Sequence, residues 1–246
     1  MSFITKNNGQ FEYFDTQLRR PTWRGKKVFD FGGNIGNVLH HPDSTIDHDK
    51  YWCVDVSRDA IEAGKKAAPE AHFVFYDRYN PEYNPSGIRG LPIPDIGDSF
   101  DFILSLSVFT HTNKTEMIET VNHLRSFLND SGRLALTFLD PHYVPPGSDV
   151  TNVKHYLEQR WNVKSLQYID TFMNKADRAN WCVLTGGKLE IQGDGFNYSD
   201  TSQSEDYLVF YTPQYFETIF PESEVLAPVS PFDRQHCAIF KRGSCG

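Results

Sequence analysis

Two short apolar runs end in acids and glycines in a way that suits one kind of ligand. Lys27 to Phe31 leads into Asp30-Phe31-Gly32-Gly33-Asn34-Ile35-Gly36, and Tyr51 to Asp55 closes on a second acid. Glycines at such a turn let the backbone take unusual dihedrals and let a ligand come close. An acid at the end of a second strand can accept hydrogen bonds from both hydroxyls of a ribose. The pattern therefore reads as a strand-to-helix turn that holds a ribose-bearing ligand.

Charge narrows the choice of ligand. A nicotinamide dinucleotide needs Gly-x-Gly-x-x-Gly so that its pyrophosphate can rest on backbone amides at a helix start. Here Asn34 stands where the second glycine belongs, and Asp30 would repel a pyrophosphate. A phosphate-gripping loop is excluded too, since no Gly-Lys-Ser/Thr follows. S-adenosylmethionine carries no phosphate, and its ammonium favours a nearby carboxylate.

The stretch Val28 to Val38 resembles motif I of the class I S-adenosylmethionine-dependent methyltransferases, an acid followed by glycines at alternate positions. It departs from that motif at Asn34, and Asn is the non-glycine residue that best tolerates left-handed dihedrals. Asp55 matches the family's ribose acid, and Asp77, after a third run, matches the acid that meets the adenine amino group. Ser99 to His111 is similar to the family's fourth-strand motif. The resemblance covers residues 25–140 and resumes weakly from Thr212. It implies a Rossmann-like α/β fold, a seven-stranded, mostly parallel sheet with one antiparallel strand and helices on both faces. It also implies cofactor contacts from Asp30, Gly32, Gly33, Asn34, Gly36, Asp55, Val56, Asp77, Arg78, Ser105 and Leu106.

Methyl transfer needs the nucleophile, methyl and sulfur in line, and a base where the nucleophile must lose a proton. His111, after the fourth strand, and His142, after the fifth, are the candidates, ahead of His155 and Tyr143; a histidine that merely orders its loop is the bland alternative. Asp140 with His142 would give an ion only two ligands from one strand end, so no metal is expected. Asp140-Pro141-His142-Tyr143 and Asn80-Pro81-Glu82-Tyr83 look like the Asp/Asn-Pro-Pro-Tyr of nucleic-acid amino methyltransferases. Both follow the wrong strand and lack the second proline.

The elements that must position these residues alternate along the chain. Strands are expected at Lys27–Phe31, Tyr51–Asp55, His72–Tyr76, Phe100–Leu104 and Gly132–Phe138. Ser57 caps a helix that ends before Pro69, and Met117, Ile118, Val121, Leu124 and Leu128 recur at helical spacing. Tyr79 to Gly97 is too rich in proline and glycine for a helix. Residues 1–24 read as an N-terminal flap, 25–140 as the cofactor-binding core, 141–207 as an inserted substrate cap, and 208–246 as the end of the core. Within the insertion, residues 149–160 read as a helix, and Trp181–Thr185 and Lys188–Ile191 flank Gly186-Gly187 as a hairpin. Thr212-Pro213 starts a short helix, and Val225 and Cys237–Phe240 mark two closing strands. Trp161, Tyr168, Phe172, Trp181, Phe196, Tyr198 and Tyr207 would roof a small molecule or peptide end, or else form a homodimer face.

The bulk properties exclude several partners. The formal charge of −8 and basic runs no longer than a pair argue against nucleic acid. Neither a signal peptide nor a membrane span is legible, and the four cysteines show no paired spacing. A cytoplasmic protein acting on a small molecule is the expectation. Two other readings remain beside the methyltransferase: an NAD(P)-dependent oxidoreductase, disfavoured by Asp30 and Asn34, and a methyltransferase-like protein that binds the donor without turnover.

Overall fold

The computed structural model describes residues 9–80, 83–112, 114–140, 143, 181–185, 188–191, 207–229 and 235–243, with the side chains of 181–191 and 207–208 set aside. Ten strands form one sheet. Its core is built from β1 (Val28–Phe31), β2 (Tyr51–Asp55), β3 (His72–Phe75), β4 (Phe100–Ser105) and β5 (Leu128–Leu139), all parallel. Three more strands, β6 (Trp181–Thr185), β7 (Lys188–Ile191) and β8 (Tyr207–Tyr211), come from the insertion and its end; β9 (Glu224–Leu226) and β10 (Gln235–Lys241) close the sheet. β10 runs antiparallel to β5 and to β9. The core order is therefore β3-β2-β1-β4-β5-β10-β9, seven strands of which β10 alone is reversed, as the resemblance implies.

The expected hairpin is present, with Val183 opposite Glu190 and Thr185 opposite Lys188. Sequence reading did not anticipate where it goes. β6 also pairs antiparallel with β8, and β8 joins the core sheet through one pair, Leu139 with Phe210. The expected helix at 149–160 lies outside the described residues.

Among the described residues four helices cover the faces: α1 (Gln10–Gln17), α2 (Arg58–Ala67), α3 (Lys114–Ser126) and α4 (Pro213–Ile219). Ser57 accepts a hydrogen bond from the Ala60 amide at the start of α2, with Asp59 in the first turn and Lys65 and Lys66 in the last, the charge order that suits a helix dipole. The helix stops at Ala67 because the residue before Pro69 is driven out of the helical region. Thr212 caps α4 in the same way, with Pro213 in the first turn. Met117, Val121 and Leu124 of α3 and Phe216 of α4 are fully buried with Phe29, Ile103, Leu136 and Phe138 on one face. Phe11 and Phe14 of α1 and Ile61 of α2 pack with Val28, Phe102, Leu104 and Cys237 on the other. Among the described residues no helix is long and apolar enough to cross a membrane.

Two expectations need correction. The segment read as an N-terminal flap contributes to the core: Trp23 stacks 4.7 Å from Phe102 and donates its indole N–H to Asp15 at 2.8 Å. Its interleaved aromatics are core residues whose spacing comes from α1. The turn after β1 does not open a helix either. Residues 33–40 form successive turns, with Gly36 N–H bonded to Gly33 O and His40 N–H to Gly36 O. Gly32, Asn34 and Gly36 all have positive φ (78°, 56° and 87°), and three left-handed positions in five residues are incompatible with an α-helix there.

Candidate cofactor and transfer site

The glycine turn lies where β1, β2 and β4 end side by side. Gly32 donates its N–H to Val54 O at 2.8 Å, and a Cβ on Gly32 would stand 2.3 Å from Val108 Cγ2, so the loop after β4 rests directly on the turn. Asp55, at the end of β2, accepts the exposed Asn34 N–H at 2.8 Å and the Ser57 N–H at 2.7 Å. Burial raises its pKa, and these backbone donors oppose the rise. Asp30 sits beneath the turn, 2% exposed, and accepts the Tyr51 hydroxyl at 2.5 Å. A Cβ on Gly33 would stand 2.6 Å from the Asp30 carboxylate and 2.9 Å from Cys53 Sγ. Burial pushes Asp30 up to about 7, with the Asp55 charge adding to the rise and the Tyr51 hydrogen bond opposing it. Burial likewise pushes the Cys53 thiol up, away from reactivity.

This arrangement tests the ligand. Two carboxylates face the turn from below and beside it, and no helix N-terminus follows β1 to receive a pyrophosphate. A cationic, phosphate-free nucleoside fits such a turn and a dinucleotide does not. Residues 29–134 match the family model described as a methyltransferase domain. The match spans less than half of the chain.

The fold is similar to that of the PH0226 protein from Pyrococcus horikoshii OT3, with a TM-score of 0.54 and 13% identity over 98% of this chain and 93% of that one. It is also similar to an S-adenosylmethionine-dependent methyltransferase from Clostridium acetobutylicum ATCC 824, with a TM-score of 0.52 and 10% identity over 99% and 94%. A third similar structure is the glycopeptide N-methyltransferase MtfA complexed with S-adenosyl-L-homocysteine, with a TM-score of 0.51 and 12% identity over 94% and 88%. The sequence matches none of the curated proteins.

The other residues singled out in the sequence occupy varied positions. Val56 is half-buried against the core beside Asp55. Asp77 accepts from the Asn84 side-chain amide at 3.0 Å, and Arg78 pairs with Glu116 of α3 at 2.7 Å while donating to Leu91 O at 2.9 Å. Arg78 thus braces the loop after β3 against α3. Ser105 is fully buried, with no partner for its hydroxyl among the described residues. Leu106 is half-buried against the α1 face. His111 ends a single 3-10 turn, Phe109–His111, its N–H bonded to Val108 O. His142 lies outside the described residues.

Sequence reading missed a polar group where β4, β5 and β10 meet. Ser107 N–H donates to Thr137 Oγ1 at 2.8 Å, Thr137 Oγ1 lies 2.5 Å from Gln235 Oε1, and Gln235 Nε2 donates to Ser107 Oγ at 2.5 Å. Ser107 has φ 60° although it is not glycine. Nearby, His236 Nε2 lies 3.9 Å from Asp140 Oδ2, with both side chains about nine-tenths buried. Burial lowers the His236 pKa and Asp140 opposes the fall. These residues come from separate strands, so no spacing links them. The non-glycine Ser107 in a left-handed conformation was the only local signal, and it is invisible before the backbone is known. Elsewhere Glu12, His41 and Asp43 place one ligand atom each within 4.8 Å, but the Asp43 N–H already donates to His41 Nδ1 and His41 Nε2 faces Glu12 at 3.7 Å. That grouping needs no metal to explain it.

Proposed function

We propose that this protein is an S-adenosylmethionine-dependent methyltransferase that acts on an oxygen or nitrogen of a small molecule, of the natural-product kind or the end of a small peptide. The observation that carries the donor half is the turn itself: left-handed positions at Gly32, Asn34 and Gly36, with Asp55 at its rim and Asp30 beneath it. When bound, S-adenosylmethionine supplies an electrophilic methyl on a sulfonium. Asp55 would hold the ribose hydroxyls, and Asp30 would favour positive charge above it. On this reading Asp77, after β3, would meet the adenine, and the residues after β4 the amino-acid end. His111, just past β4, takes the proton from an acceptor hydroxyl onto an imidazole nitrogen; an amine acceptor that arrives neutral needs only alignment. The acceptor half rests on the acidic charge of −8, against nucleic acid, and on the aromatic content of residues 141–207.

Calorimetric titration with S-adenosylmethionine and S-adenosylhomocysteine, followed by an acceptor screen read by a mass gain of one methyl, tests this reading. Micromolar binding of both and a methylated small molecule are expected. Binding with no methylation across hydroxyl and amine acceptors would favour a binding protein without turnover, and failure of both titrations would remove the cofactor placement.

A further inference from the structure

We infer that Ser107 is a preset hydrogen-bond donor for the amino-acid carboxylate of the bound cofactor, and that Gln235 sets its polarity. The inference rests on the cofactor placement above. A backbone N–H can only donate, so the Ser107 amide fixes Thr137 Oγ1 as its acceptor at 2.8 Å. Thr137 is fully buried, and its own proton must then go to Gln235 Oε1 at 2.5 Å. With its oxygen so occupied, Gln235 turns its amide nitrogen to Ser107 Oγ at 2.5 Å and donates there. The ring of three side chains therefore has a single sense, started by one amide. Its last member, the Ser107 hydroxyl, accepts from Gln235 and keeps its own proton, which no acceptor among the described residues takes.

Position decides what that proton meets. Ser107 is half-buried two residues past β4, and the next residue, Val108, rests on Gly32 of the cofactor turn. With the ribose at Asp55 on β2, the strand order carries the amino-acid end of the ligand over β1 toward β4. Of the two charged groups at that end, the ammonium donates and the carboxylate accepts, so a donor hydroxyl suits the carboxylate. Ser107 is held at φ 60°, where a non-glycine residue is strained, and Thr110 Oγ1 further pins its carbonyl at 2.8 Å. Strain kept in place by a closed ring of hydrogen bonds is what a fixed donor requires.

Titration of S-adenosylhomocysteine and of 5′-methylthioadenosine, which lacks the amino-acid part, separates the possibilities. Removing the hydroxyl with Ser107→Ala should weaken the homocysteine ligand roughly tenfold or more, the range of a charge-assisted hydrogen bond, and leave methylthioadenosine within about twofold. Ser107→Gly, which relieves the positive φ, should do the same if the alanine variant folds poorly. Gln235→Glu accepts at both oxygens, so Ser107 would turn its proton inward and present lone pairs to the carboxylate; its loss should exceed that of Ser107→Ala for the homocysteine ligand alone. In the double variant Ser107→Ala/Gln235→Glu the losses should be clearly less than additive, since the reversed hydroxyl is gone. Equal losses for both ligands, additive losses, or parent-like binding by Ser107→Ala and Ser107→Gly would overturn the inference while leaving the cofactor placement intact. A parent protein that binds neither ligand would overturn both.

Discussion

The two halves of the site are built by different means. On the β1–β2 side, the ligand surface is backbone: seven consecutive residues, three of them at positive φ, with one acid below and one beside them. On the β4–β5–β10 side it is side chain: Ser107, Thr137 and Gln235, brought together from positions 30, 98 and 128 residues apart. A contiguous motif recurs with a shared cofactor because the backbone conformation itself is the binding feature. A surface assembled from distant strands holds its shape only while all three side chains are present, so a single substitution can undo it.

Four changes would break or sharpen this contrast. His111→Ala should slow turnover about a hundredfold, the lower range for loss of a general base, while donor affinity stays at the parent value; an unchanged rate would remove His111 as base. On the other half, Asp55→Ala should weaken S-adenosylmethionine and S-adenosylhomocysteine by well over tenfold, about 1.4 kcal/mol or more. Normal binding by that variant would mean the ligand lies elsewhere.

Thr137→Val should cost about 1–2 kcal/mol in denaturant unfolding, because the Ser107 N–H loses its acceptor in a buried place. A smaller change on the backbone side is Asn34→Gly, which removes a left-handed strain but adds unfolded-state freedom. Its stability should move by less than about 1 kcal/mol, with cofactor binding kept. Should Asn34→Gly abolish binding, the Asn34 side chain and not its backbone would be the feature that matters.

Asp30 adds a pH dependence confined to the first half. Its folded pKa of about 7 is above the ordinary aspartate value of 3.8. Between those values the folded chain holds a proton that the unfolded chain has released, so stability falls as pH rises through that window and the full cost is present above pH 7. Asp30→Asn keeps an acceptor for Tyr51 and cannot ionise. Its melting temperature should exceed the parent's by several degrees at pH 8 and by much less at pH 5. A difference independent of pH would show that Asp30 does not titrate in this range.

How much of this was legible follows from the same contrast. The five parallel strands announced themselves as apolar runs, Ser57 and Thr212 as caps, and Asp30 to Gly36 with Asp55 as a ligand turn, because each signal sits within a few residues. The absent helix after β1 was not legible: residues 33–40 lack a strong breaker such as an internal proline, and only the alternation of left-handed positions stops the coil. Nor was the core role of Phe11, Phe14 and Trp23, since their burial depends on Val28 and Phe102 arriving opposite them. His236, Asp140 and the Ser107 ring were beyond reach for the same reason, being defined by the register between β5 and β10.

The fork at the end of β5 carries a consequence for the energetics of the whole sheet. β5 meets β4 and β10 along most of its length but β8 only through Leu139 and Phe210. β8 is nonetheless anchored by Val209 and Tyr211, fully buried in the core, so only the β6–β7 hairpin can open without disturbing it, while β10 cannot leave without opening seven paired positions. Amide hydrogen exchange should divide the strands into two cooperative units, the β6–β7 hairpin exchanging through a low-energy opening and β8 with the seven-stranded core only near global unfolding.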